Sequence, residues 1–228
     1  EREGLISSFV GHSVIESGAD QGDGIDFRER YNISPDAKVL CLLPGSRLSE
    51  VKRLLPILGE VVARLNNSKL HLLMPIVENV SSEIRQEISS WRNIPRIIND
   101  DREKFAAFAA SDAAIAASGT VALELALAKV PYVTVYKLNP LTALIARSMI
   151  ETPFFNIINI LLGRESVPEL IQENCKSDII LPYISEYLNG SDAAAAQIES
   201  FTDAVAQLKY GDENPSDKAA TVVLDLIR

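Results

Sequence analysis

Two glycine-bearing loops each close an apolar run and open an amphipathic one: Leu43-Pro44-Gly45-Ser46-Arg47 and Ala117-Ser118-Gly119-Thr120. Glycine lets the backbone approach a ligand closely, and the N-terminus of a following helix offers unpaired N–H groups to an anion. Arg47 adds a forked positive charge suited to phosphate. Each loop taken singly also fits a plainer reading. Gly45-Ser46 is a common tight turn, and Ser118-Gly119-Thr120 is ordinary helix-cap composition. The two together, with Glu124 one helical turn past the second, point to a nucleoside diphosphate. A carboxylate at Glu124 accepts two hydrogen bonds and suits the vicinal hydroxyls of a ribose. Its competing reading is a first-turn glutamate that complements the helix dipole.

Other reactive side chains form no constellation. His12 and His71 are isolated, and Asp20, Asp23 and Asp26 lack the spacing of a calcium loop. No Walker loop and no Gly-x-Ser-x-Gly elbow is present. Cys41 falls in an apolar strand-like run and Cys175 in an expected helix, which makes neither a disulfide framework nor a zinc site and points to a reducing cytoplasm. No metal or cofactor is expected.

The elements that must position the loops follow from periodicity. Strand-like runs occupy 38–43, 70–74, 94–98, 112–116 and 131–136. Helical spacing covers a segment capped by Ser49 with Val51, Leu54, Leu55, Leu58, Val61, Val62 and Leu65 on one face, and then 80–91, 102–110 and 120–128. This alternation implies an α/β fold, a Rossmann-like parallel sheet with helices on both faces, and a ligand at the carboxyl ends of its strands. Beyond 137 the pattern is mainly helical, at 139–150, 166–175, 178–189, 191–208 and 216–227. The last of these is expected to bury Ala219, Val222, Val223, Leu226 and Ile227. We divide the chain into a starting linker at 1–30, a nucleotide-sugar-binding domain at 31–165 and C-terminal helices at 166–228.

Composition narrows the class. A net charge of −9 over 228 residues argues against a nucleic-acid partner, which needs a basic face, and gives no attraction to anionic lipid. The most apolar stretch, 139–162, is interrupted by Arg147, Glu151, Asn156 and Asn159, so it reads as a packed helix and a loop rather than a span. The opening Glu-Arg-Glu-Gly has neither an initiator Met nor a signal peptide, as expected of a piece of a longer protein.

In series these segments resemble the lipid-A-disaccharide synthase family, glycosyltransferases of GT-B architecture (family 19). The residues carrying the resemblance are Phe9-Val10-Gly11-His12, Leu42 to Arg47 with Glu50-Val51, Ser111 to Ala114, and Ala117 to Thr120 with Ala122-Leu123-Glu124. They continue with Ala128-Lys129, Pro131, Tyr136, Asn159, Leu161, and Gly163-Arg164-Glu165 through Glu169-Leu170 and Gln172. Two positions depart from the family pattern: Ser13 and Ile158 stand where the family has proline.

The resemblance implies transfer of a 2,3-diacylglucosamine unit from its UDP form to 2,3-diacylglucosamine 1-phosphate, giving the β-1,6-linked lipid A precursor and UDP. It implies that this chain is the donor-binding half, and that the N-terminal half of the same protein supplies the acceptor site and the base. Peripheral contact with the inner membrane from the cytoplasm and a homodimer belong to the same expectation. Carried over residue by residue, Arg47 and Asn159 are the catalytic candidates. Gly45, Ser46, Ser118, Gly119 and Thr120 would hold the diphosphate, and Glu124 the ribose. Arg164, Glu165 and Gln172, with Asn159, would shape the sugar side. The alternatives are another GT-B enzyme on a UDP-sugar, such as a peptidoglycan N-acetylglucosaminyltransferase or a UDP-sugar 2-epimerase, or a UDP-binding or dimerisation module without activity of its own.

Overall fold

Six short parallel strands carry the molecule, and their order decides where a ligand can sit. The computed structural model describes residues 7–65, 67, 69–117, 119–139, 153–209, 211 and 213–226. The strands are β1 (Lys38–Leu43), β2 (Leu70–Pro75), β3 (Arg96–Ile98), β4 (Ala113–Ala117), β5 (Tyr132–Tyr136) and β6 (Glu169–Ile171). They pair in the order β3-β2-β1-β4-β5-β6, every pair parallel. The chain winds outward from β1 to β3, then returns to β4 on the other side of β1. That reversal makes β1 and β4 neighbours whose following segments leave toward opposite faces.

The helices are α1 (Gly24–Arg30), α2 (Leu48–Leu65), α3 (Ser81–Ile88), α4 (Asp101–Ala109), α5 (Val121–Leu127), α6 (Ile157–Leu162), α7 (Ser177–Leu188), α8 (Asp192–Ala206) and α9 (Pro215–Leu226). Strand alternation splits the core between them. Leu40 and Leu42 face α2, α3 and α7, whereas Cys41 and Leu43 face the layer that includes α5, α6 and α8. The α2 stripe read from sequence is buried at Val51, Leu54, Leu55, Leu58, Val61 and Val62. Each such side chain contributes roughly 1.5–3 kcal/mol of burial. A third cluster packs Phe27 of α1 and Ala106 and Ala107 of α4 on Val39 and Leu73. The small side chains of β4 are all buried. Asp112, just before β4, accepts from the Val39 amide at 2.7 Å and from Arg28 at 2.9 Å, tying α1 to the sheet.

Several expectations are corrected. The helix expected at 166–175 is instead β6 followed by a 3-10 turn at Gln172–Asn174, so the sheet runs on past residue 165. Pro168 lacks an N–H, but its carbonyl accepts from the Thr134 amide at 2.9 Å, which docks the segment as an edge strand. Helix α2 begins at Leu48, before Ser49, with the Arg47 carbonyl accepting from Glu50 and Val51. Val223 is 58% exposed on α9, which packs on the short helical turn at 13–16 rather than on the sheet; Ala219 and Val222 are half-buried. Leu226 and Ile227 give no side-chain observation, and the helix expected at 139–150 lies largely outside the described residues, as does all but the end of the 139–162 run. Among the described residues no helix is long and apolar enough to cross a membrane.

Burial sets the behaviour of both thiols. Desolvation pushes Cys41 far above the ordinary thiol range and Cys175 up to about 11. Neither is expected to react with a disulfide reagent at pH 8 until the chain is unfolded. The unfolded thiols ionise first, so the folded state binds more protons between the ordinary value of 9.0 and about 11. Stability should therefore fall as pH rises through that window, read as a lower denaturant midpoint at pH 10 than at pH 8.

Candidate functional site

The loops that leave β1 and β4 meet over one cavity at the carboxyl edge of the sheet. Its volume is about 430 Å³, within the usual range for small-molecule sites. The walls are Gly45, Ser46 and Arg47 from the first loop, Gly119, Thr120 and Glu124 from the second, and Asp100, Asp101 and Lys104 from the start of α4. Ser118 lies outside the described residues.

Gly45 is required by both conformation and space. Its φ is +105°, and a Cβ there would sit 2.6 Å from Glu50 Oε2. Glu50, in the first turn of α2, is therefore packed directly beneath the loop, with its side chain 9% exposed. Its Oε1 accepts from Arg47 Nη1 at 2.7 Å. This hydrogen bond and the Glu50 charge raise the Arg47 pKa further and hold the guanidinium at the rim, 75% exposed. Burial and the neighbouring Glu50 carboxylate also raise the Tyr136 pKa. One carboxylate thus joins the β1 loop, α2 and the end of β5. Asn79 steadies the same loop through a 3.1 Å bond to the Ser46 carbonyl.

Across the cavity, Thr120 is exposed and its side chain makes no capping hydrogen bond to α5, so its hydroxyl is not consumed as a helix cap. A Cβ at Gly119 would meet nothing within 4 Å, leaving the loop surface open. Glu124 is not a simple dipole partner, because its Oε1 accepts from Lys104 Nζ at 3.1 Å. Asp100 is engaged elsewhere, capping α4 through the Arg102 and Glu103 amides. Among the described residues no group of three or more His, Cys, Asp or Glu is placed to hold a metal ion.

Asn159, Arg164, Glu165 and Gln172 do not line this cavity. Asn159 is 0% exposed and its amide is saturated. The Oδ1 accepts from the Ser166 and Val167 amides, and the Nδ2 donates to the Val167 carbonyl and to Glu169. Glu169 also accepts from the Phe155 and Asn156 amides, so the two side chains clasp 155–169 into one folded unit. Arg164 and Glu165 are exposed on that unit. Gln172 follows β6 at the carboxyl edge with a left-handed φ of +53°. Sequence reasoning missed Glu50, Lys104 and Glu169 as parts of these sites. Only Glu50 carried a local signal, its i,i+3 spacing from Arg47.

The family model for lipid-A-disaccharide synthetase matches residues 1–223. The chain belongs to that family. The lipid-A-disaccharide synthase of Rhodospirillum centenum is 45% identical over 230 residues, spanning 100% of this chain and 57% of the relative. That of Gluconobacter oxydans is 39% identical over 228 residues, spanning 99% and 55%. This lipid-A-disaccharide synthetase family member therefore spans a little over half the length of the curated relatives it matches. In architecture it is similar to a glycosyltransferase from Rickettsia africae, with a TM-score of 0.61 at 13% identity over 96% of this chain and 56% of that one. Sucrose-phosphate synthase from Thermosynechococcus elongatus gives a TM-score of 0.60 at 11% identity, over 95% and 51%. The fold is thus a Rossmann-like half of the GT-B type.

Removing Asn159 separates structure from substrate contact. Asn159→Ala leaves the Ser166 and Val167 amides buried without their partner, so a loss of about 2–4 kcal/mol is expected in a denaturant titration. Arg164→Ala, on the exposed side of the same unit, should leave the midpoint unchanged.

Proposed function

We propose that this chain is the UDP-sugar-binding half of a lipid-A-disaccharide synthase. In the reaction, UDP-2,3-diacylglucosamine is the donor and 2,3-diacylglucosamine 1-phosphate the acceptor. The observation that carries the reading is the convergence of the Gly45 and Gly119 loops, with Arg47, on one cavity in a chain of this family.

The transfer is an inverting displacement. The acceptor hydroxyl attacks the anomeric carbon, the bond from that carbon to the UDP oxygen breaks, and the hydroxyl proton passes to a base in the other half of the protein. Negative charge grows on the departing diphosphate as that bond lengthens. Arg47, already anchored by Glu50, and the amides of Gly119 and Thr120 meet this charge without reorganising, so they favour the transition state more than the bound donor. Glu124 takes the ribose hydroxyls. Arg164, Glu165 and Gln172 form the sugar side, with Asn159 as a positioning residue that holds their segment. The same proposal includes a cytoplasmic, inner-membrane-peripheral enzyme, completed by the N-terminal half and working as a homodimer.

Arg47→Ala in the enzyme of full family length is the test. Loss of one preorganised charge contact is expected to lower kcat by about 10²–10³, roughly 2.7–4 kcal/mol, with a smaller change in KM. Turnover near that of the wild type would overturn the assignment.

A further inference from the structure

One wall of the cavity places a single ammonium among carboxylates. Lys104 Nζ lies 3.1 Å from Glu124 Oε1 and 3.4 Å from Asp101 Oδ1, and 4.7 Å from the Phe105 ring centroid. The Lys104 side chain is 22% exposed and that of Glu124 19%, so this pair is shielded from bulk water in a way that most surface lysines are not. Lys104 stands in the first turn of α4, after β3, and Glu124 in the first turn of α5, after β4. Their contact crosses between two loops of the cleft. An ammonium has three donors, which allows it to serve both carboxylates at once.

The chemistry follows from lone-pair counting. An ionised carboxylate offers about four acceptor sites, and Lys104 occupies one of them on Glu124. The remainder can accept from two hydroxyls. Without the ammonium, Glu124, 19% exposed, would lose its Lys104 partner, which loosens the glutamate rotamer. A swung-away Glu124 would no longer read a vicinal diol.

We propose that Lys104 is the positioning residue that makes this cleft select a ribonucleoside over a deoxyribonucleoside diphosphate, by fixing Glu124 against the sugar hydroxyls. The inference rests on reading the cleft as a nucleoside diphosphate site. Calorimetric titration of UDP and 2′-deoxy-UDP into the 228-residue chain and its K104M and K104Q variants tests it, the second substitution serving if the first does not fold. The wild-type chain is expected to prefer UDP by roughly tenfold, the worth of one charge-assisted hydrogen bond. In the variants that preference should fall to within about twofold, through a larger loss of UDP binding than of 2′-deoxy-UDP binding, and K104R should retain part of it. Equal weakening of both nucleotides would reveal a merely structural lysine and overturn the inference. So would equal wild-type affinity for the two, which would leave the nucleotide site itself standing. Failure of the wild-type chain to bind either nucleotide would instead overturn the underlying reading.

Discussion

The strand order reverses between β1 and β4, and every functional feature described depends on that reversal. Two neighbouring strands send their following segments to opposite faces, so a crevice opens at their carboxyl ends that no helix among the described residues fills. Backbone amides at helix starts point into such a crevice without competing intrahelical partners, which makes it receptive to anions. The chain places a glycine at each lip, Gly45 and Gly119, where side chains would crowd a ligand or the loop's own support. The buried small residues of β4 leave room for helices on both sides of it.

Charge at this crevice is organised rather than simply positive. Among the described residues Arg47 and Lys104 are the cations on its walls, and each is tied to a carboxylate, Glu50 or Glu124. The pairings hold two flexible side chains in fixed positions before any ligand arrives, so binding loses less conformational entropy. Glu50 works from below the glycine loop and also lies near Tyr136 at the end of β5. A net charge of −9 therefore coexists with an anion site, because the local arrangement and not the total sets the field that a diphosphate meets.

The repeating βα portion was legible in the sequence because each element there is long enough to display its period. The α2 stripe from Val51 to Val62 and the strand at 38–43 are clear cases, and the two glycine loops fell where the pattern placed them. The stretch at 166–175 was misread as helical because β6 is only three residues long, with the polar Glu169 beside its core residue Leu170 and a proline before it. Too few residues alternate there to reveal a period of two. The role of Asn159 was likewise invisible, since its partners at 166–169 are brought to it by the docking of β6. Lys104 and Glu124, 20 residues apart, meet only because α4 and α5 start at the same edge of the sheet. The α9 pattern was helical as read, but spacing alone does not say what a stripe faces, and Val223 faces solvent.

The central claim is that this crevice holds a nucleoside diphosphate at the two glycine loops. Its most direct test is a crystal structure of the chain with UDP. Pyrophosphate density is expected between Gly45–Arg47 and Gly119–Thr120, with a guanidinium nitrogen of Arg47 in contact and the ribose against Glu124. An empty crevice at saturating UDP, or nucleotide bound elsewhere with Arg47 turned into bulk solvent, would contradict it.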